Sequence, residues 1–172
     1  MEKSEKWYLN NSNQIIMKNG IILLFLLLLG QTGFCCSCIG ENSVKEEVKR
    51  SDLVIVGKIL SRDEITLPRD ENNSLRRELE RVSFRVLVTS RYKGKIQSDT
   101  VTIITGFGGG DCGVRFKVGE SYIIYAVEDI FIGYGEHTKM PNTFETNSCT
   151  RTGIAEEAEL ASLKKIKKPG KG

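Results

Sequence analysis

Leu53-Val54-Ile55-Val56-Gly57-Lys58-Ile59-Leu60 is an apolar run rich in β-branched side chains, broken only by Gly57 and Lys58. Val and Ile are stiff at χ1 and pack well on a pleated surface, so a run this short predicts a buried strand. Immediately upstream, Asn42-Ser43-Val44-Lys45-Glu46 carries a capping-box pattern, with Ser43 as N-cap and Glu46 three residues on. It predicts a short helix ending near Arg50. Downstream, residues 61–78 are charged and contain Pro68 and Asn72-Asn73, and they read as an exposed loop. The sequon Asn72-Asn73-Ser74 is a surface signal within it.

Further along, Val82-Ser83-Phe84-Arg85-Val86-Leu87-Val88 places Val82, Phe84, Val86 and Val88 on one face at period two. Tyr92-Lys93-Gly94-Lys95 supplies a turn, and Thr100-Val101-Thr102-Ile103-Ile104 alternates in the same way. The glycine-rich stretch Gly106 to Gly113 leads into another strand at Val114-Arg115-Phe116. A turn at Val118-Gly119-Glu120 then precedes Tyr122 to Val127. Residues 128–148 read as a loop. Gly153 to about Lys168 reads as a helix in which Leu160, Leu163 and Ile166 share one side. Short strands separated by turns, with a helix at each end, predict one mainly β domain built as a small antiparallel barrel.

The chain has 172 residues, 40% hydrophobic and 27% charged, with a formal net charge of +3. This charge is mild and mixed in sign, which argues against a nucleic-acid partner. Ile21 to Leu29 is an almost pure apolar run after Met17-Lys18-Asn19-Gly20. It covers about half of the ~20 residues a membrane span needs, so it reads as the core of a signal peptide and not as a membrane span. Met17-Lys18 resembles the start of such a signal, and residues 1–16 read as an over-extended beginning. Gly33 and Cys35 suit the positions before a signal-peptidase cut. The expected division is therefore a leader over residues 1–35 and one domain over 36–172, secreted and beginning Cys36-Ser37-Cys38. A lipid anchor on Cys35 or Cys36, which would leave the domain periplasmic or on an outer surface, fits less well. Phe34 or Cys35 would stand just before the modified cysteine, a poor match to that route. The five cysteines, Cys35, Cys36, Cys38, Cys112 and Cys149, read as a disulfide framework. Once Cys35 leaves, four cysteines allow three connectivities. A thiolate metal site at Cys35, Cys36 and Cys38 lacks a completing ligand.

Little in the chain suggests catalysis. Gly108-Gly109-Gly110-Asp111-Cys112-Gly113 matches a dinucleotide fingerprint by letter, but it leads to a strand where that fingerprint opens a helix. His137 is the sole histidine and lies in a loop-like stretch, and Glu128-Asp129 reads as a solvated turn. Lys164-Lys165, Lys167-Lys168 and Lys171 read as a solvated helix end, favoured by the helix dipole. No nucleophile, base and orienting group assemble, so the chain reads as a non-enzyme without a cofactor.

Several of these features together resemble the inhibitory domain of the tissue inhibitors of metalloproteinases, and more broadly the netrin-like domains. They are Cys36-Ser37-Cys38 before a short helix and Ser51-Asp52-Leu53-Val54-Ile55-Val56-Gly57-Lys58. Phe84-x-Val86 with Tyr92-Lys93-Gly94, Cys112-Gly113 followed by Phe116, Gly119-Glu120-x-Tyr122 and Asn147-Ser148-Cys149 complete the pattern. The likeness spans Cys36 to about Leu163. It implies an OB-fold, a five-stranded Greek-key barrel with a short N-terminal and a C-terminal helix. It also implies disulfides Cys36–Cys112 and Cys38–Cys149, across separations of 76 and 111 residues. Chain entropy values each such loop at roughly 4 to 5 kcal/mol.

The function so implied is inhibition of a zinc metalloendopeptidase. The amine and carbonyl of Cys36 would chelate the protease's zinc, whose open coordination position normally holds water. Ser37 would enter the neighbouring specificity pocket, Cys38 would anchor the terminus, and Gly110 and Asp111 would lie alongside. An α-amine with a pKa of about 7.7 to 8.0 is readily neutral at physiological pH. The sequence departs from the animal inhibitors at Ile39-Gly40-Glu41, and it lacks their third inhibitory-domain disulfide and second domain. The alternative implied by the wider resemblance is a non-inhibitory netrin-like binding module that works through its loops.

Overall fold

A computed structural model describes Cys38 and residues 43–67, 79–133 and 136–167. Helix α1, Val44–Arg50, starts at the expected capping box. Ser43 N donates to Glu46 Oε2 at 3.0 Å, and Glu46 N returns the bond to Ser43 Oγ at 3.3 Å. The helix ends where the Ser51 N–H and hydroxyl both donate to the Glu47 carbonyl. Lys93 Nζ donates to the carbonyls of Val48 and Lys49, placing a cation at the negative end of the helix dipole.

The strands are β1 Leu53–Leu67, β2 Leu79–Lys93, β3 Thr100–Thr105, β4 Ser121–Ala126, β5 Ile130–Gly133, β6 Glu136–Thr138, β7 Thr143–Glu145 and β8 Gly153–Ile154. Six of them form one sheet in the order β7-β3-β2-β1-β4-β8, while β5 and β6 pair separately. The contacts β1/β2, β2/β3, β1/β4 and β4/β8 are antiparallel, and β3/β7 is parallel. Beyond the end of β4, Val127 N donates to the Glu145 carbonyl at 2.9 Å and Glu145 N returns a bond at 2.8 Å. That pair joins the chain after β4 to β7.

The unbroken apolar start of β1 is explained by burial on both faces. Leu53, Ile55 and Ile59 enter the main core with Val82, Phe84, Val86, Val101, Ile103, Tyr122 and Ile124. Val54 points to the other side, into a cluster with Ile123, Tyr125 and Leu163, against which Val44, Val48 and Leu160 of the two helices pack. Gly57 marks a register shift between β1 and β2, and a Cβ there would lie 2.3 Å from Val86 Cγ1. The alternation expected for Val82, Phe84 and Val86 is present, with Val88 packed at the margin of the same core.

Four sequence-based expectations change. First, residues 61–78 are not all loop: β1 runs to Leu67 and β2 begins at Leu79, paired through to Leu67↔Leu79. Ile65, Leu67 and Leu79 find a third apolar cluster with Ile104 and Ile130, which supports the pairing that the charged residues obscured. Second, Val114-Arg115-Phe116 joins no sheet. Phe116 leaves the loop to pack edge-on against Phe84 and Tyr122, with centroids at 5.0 and 4.9 Å. Third, residues 128–148 contain β5, β6 and β7. Short as it is, β7 gains its ladder with β3 and buries Phe144 in the core. Fourth, Gly153–Ile154 is strand and the last helix, α2, is Glu157–Lys167. Leu163 is buried and Leu160 packs beside it, but Ile166 is exposed.

Side-chain bonds complete the attachment of α2. Tyr125 donates its hydroxyl to Glu159 Oε1 at 2.7 Å, and Arg151 reaches the same carboxylate at 2.6 Å. Burial, and then the bond to Glu159, push the Tyr125 phenol up from its ordinary pKa. Burial would raise Glu159, but the bonds from Arg151 and Tyr125 outweigh it and hold the carboxyl below its ordinary value. Among the described residues no helix is long and apolar enough to cross a membrane.

Candidate functional site

The glycine-rich segment after β3 is organised by a single carboxylate. Asp111 Oδ1 accepts the N–H groups of Gly108, Gly109 and Gly113 at 3.0, 3.2 and 3.2 Å, and Oδ2 accepts that of Phe107. Partial burial raises the Asp111 pKa, but the four backbone donors more than offset this and hold it below its ordinary value. Such a tight ring of amides requires glycine at its joints. A Cβ on Gly106 would sit 2.4 Å from Asp111 Oδ2, and one on Gly113 would sit 2.2 Å from the backbone of Gly106. Cys112 itself adopts a left-handed backbone, φ 55°. The loop is pinned below by Thr105 Oγ1, which accepts the Val114 N–H at 2.9 Å.

A second loop, after β7, meets the first. Thr146 N donates to the Ile104 carbonyl, and the buried Thr146 hydroxyl donates to the Tyr125 carbonyl at 2.7 Å. Asn147 Oδ1 accepts the Cys149 N–H, an Asx turn that tightens the segment. Ser148 N then donates to the Cys112 carbonyl at 2.7 Å, so the two cysteine-bearing loops touch directly. Cys149 is bonded to Cys38, S–S 2.07 Å with Cα atoms 5.2 Å apart, across 111 residues. Cys112 is disulfide-bonded as well. Its expected partner Cys36, and Ser37, lie outside the described residues. Cys38, Gly110, Asp111, Cys112 and Cys149 therefore share one edge of the domain.

The remaining sequence candidates lie elsewhere. His137 is exposed on β6 and stacks edge-on against Phe131, with centroids 5.7 Å apart. Glu128 and Asp129 pair with Lys139 at 3.3 and 3.6 Å, an exposed arrangement of small energetic weight. Lys164 and Lys165 are exposed on α2. Among the described residues no group of three His, Cys, Asp or Glu side chains could hold a metal ion.

The family resemblance implied Asp111 as a contact residue, but nothing in the sequence showed that it clamps its own loop, nor that Ser148 bridges the two loops. An aspartate inside a glycine run was the available signal, because Asx carboxylates commonly bind nearby amides. Asp111→Asn keeps one oxygen but turns an NH₂ group toward the Phe107 N–H. Chemical denaturation at pH 7 is expected to show a loss of about 1–2 kcal/mol after discounting for exposure. The depressed pKa sets the sign with pH. The aspartate's advantage is complete above its ordinary value of 3.8 and disappears as pH falls through the lower folded value. Equal stability of the two proteins at pH 7 would contradict the clamp.

Fold and edge together define a small β-rich domain in which disulfide-bonded loops meet at one edge. The family model described as tissue inhibitor of metalloproteinase matches residues 35–142, and the chain belongs to that family. No curated protein matches the chain. Members of the family are inhibitors, not enzymes, bind metalloproteinases and are typically extracellular.

Proposed function

We propose that this protein is exported, is cut between Cys35 and Cys36, and inhibits a zinc metalloendopeptidase by chelating its catalytic zinc. The Cys36 amine and carbonyl oxygen would displace the zinc-bound water, Ser37 would enter the adjoining pocket, and Gly110 and Asp111 would flank it. The observation that carries this reading is the Cys38–Cys149 bridge beside the Ser148–Cys112 bond. It tethers the chain two residues from the proposed terminus, to a loop edge that is itself clamped. A terminus held this way loses little conformational freedom on binding, which favours affinity.

The same reading makes the sheet a closed five-stranded barrel of OB type. The supporting ladder runs β1–β2–β3–β7 and returns to β1 through the Val127/Glu145 bridge and β4. A parallel β3/β7 contact beside an otherwise antiparallel meander fits that topology.

The test compares mature protein beginning at Cys36 with a form carrying one extra N-terminal alanine, assayed against zinc endopeptidases. The extension converts the amine into an amide and is expected to weaken inhibition by roughly 100-fold or more, about 3 kcal/mol. Inhibition untouched by the alanine, or absent from both forms, would sink the chelation mechanism.

A further inference from the structure

Phe107 stands out in the clamped loop because it is 41% exposed. Among the described residues it is the only exposed phenylalanine or tyrosine. Phe84, Phe116, Tyr122, Tyr125 and Phe144 are all buried in clusters. A phenyl ring left this exposed forgoes part of the favourable transfer out of water.

Its placement is also rigid. The Phe107 N–H is held by Asp111 Oδ2, and the next residue, Gly108, is fixed at φ +80° with its own N–H on Asp111 Oδ1. Arg115 lies close against Gly108, where an added Cβ would come within 2.4 Å of its Cγ. The loop carrying the ring is joined through Cys112 and Ser148 to the Cys38–Cys149 staple. A large aromatic on a preorganised ledge, at the margin of a binding edge, has the anatomy of an interface anchor.

We propose that Phe107 is a specificity-determining anchor that inserts into an apolar subsite of the bound metalloendopeptidase, next to the zinc cleft. The proposal rests on the inhibitory reading above, and it selects among proteases: those with an apolar subsite there bind tightly, and those with a charged one do not. The ring acts through desolvation and shape, whereas the Cys36 terminus acts through the metal. The two contributions are therefore separable.

The experiment measures binding and inhibition by wild type, Phe107→Ala and Phe107→Leu. The probes are zinc endopeptidases with apolar or charged subsites beside the zinc, each in zinc-loaded and zinc-stripped form. Phe107→Ala is expected to weaken binding to the apolar-subsite enzymes about 30-fold, with little change toward the others and an unchanged melting temperature. Phe107→Leu is expected to recover most of that loss, and the ratio is expected to persist on zinc-stripped enzyme. Variants within threefold of wild type on every protease would overturn the anchor while leaving inhibition intact. Wild-type binding without inhibition, still weakened by Phe107→Ala, would uphold the anchor and remove chelation. Absence of wild-type binding to any of the enzymes overturns both. Self-association of wild type that Phe107→Ala abolishes would overturn the proposal in favour of a second copy of this chain.

Discussion

Replacing Cys38 and Cys149 together by serine is expected to lower the unfolding free energy by about 4–5 kcal/mol. The bridge closes a sequence separation of 111 residues, and removing it restores that loop's conformational freedom to the unfolded chain. Against a typical domain stability of about 5–15 kcal/mol, this is about a quarter or more of the total. Cys149 lies in an exposed segment, so serine there brings no buried polar group to offset or exaggerate the effect. Denaturant unfolding of the double variant, beside wild type kept oxidised, measures the difference. A loss under about 1 kcal/mol would show that the unfolded chain stays constrained without the bridge, which would contradict the chain-entropy account. In the folded fraction the variant is also expected to inhibit poorly, because a chain end without its tether frays.

Glu145→Ala is the second large effect, at about 3–5 kcal/mol. Glu145 sits where several parts of the sheet converge. Its backbone makes both bonds of the bridge to Val127, its side chain pairs with Arg81 of β2, and it also accepts the Phe131 N–H of β5. The two paired side chains are only 11% and 12% exposed. The Arg81 Nε already has no hydrogen-bond partner among the described residues, so no second acceptor stands ready. Deleting the carboxylate leaves a buried guanidinium uncompensated, which is costlier than deleting both charges. The check is a double-mutant cycle: Arg81→Met with Glu145→Leu should be clearly more stable than Glu145→Ala alone. A loss below about 1 kcal/mol for Glu145→Ala would mean that water satisfies Arg81 and that the pair is not structural.

Several parts of this molecule were readable from short-range pattern alone. The Ser43–Glu46 capping box lies within one helical turn, so its bonds are written in adjacent residues. The alternation of Val82, Phe84 and Val86 follows from the two-residue period of a strand whose one face is buried. The β-rich class, the helix at each end and the cysteine framework follow from such local signals. The family resemblance drew on the same residues, and the family match covers most of that span.

Where the pattern failed, the deciding partner was distant in sequence. Arg62, Asp63 and Glu64 look like loop residues, yet they lie in β1 because Ile65 and Leu67 meet Ile104 and Ile130. Three-residue β7 has no strand signature of its own, and its parallel place beside β3 comes from the ladder and from burial of Phe144.

The candidate site divides along the same line. Sequence by itself determined which cysteines are present and that glycine and aspartate crowd one loop. Tertiary structure decided that Asp111 closes on four amides, that Ser148 joins the Cys112 loop to the Cys149 loop, and that Arg81 finds Glu145 across 64 positions. The physical reason is the range of the forces involved. Periodicity and capping are settled between near neighbours along the chain. Charge pairing, desolvation and strand closure depend on residues that only the folded backbone brings within bonding distance.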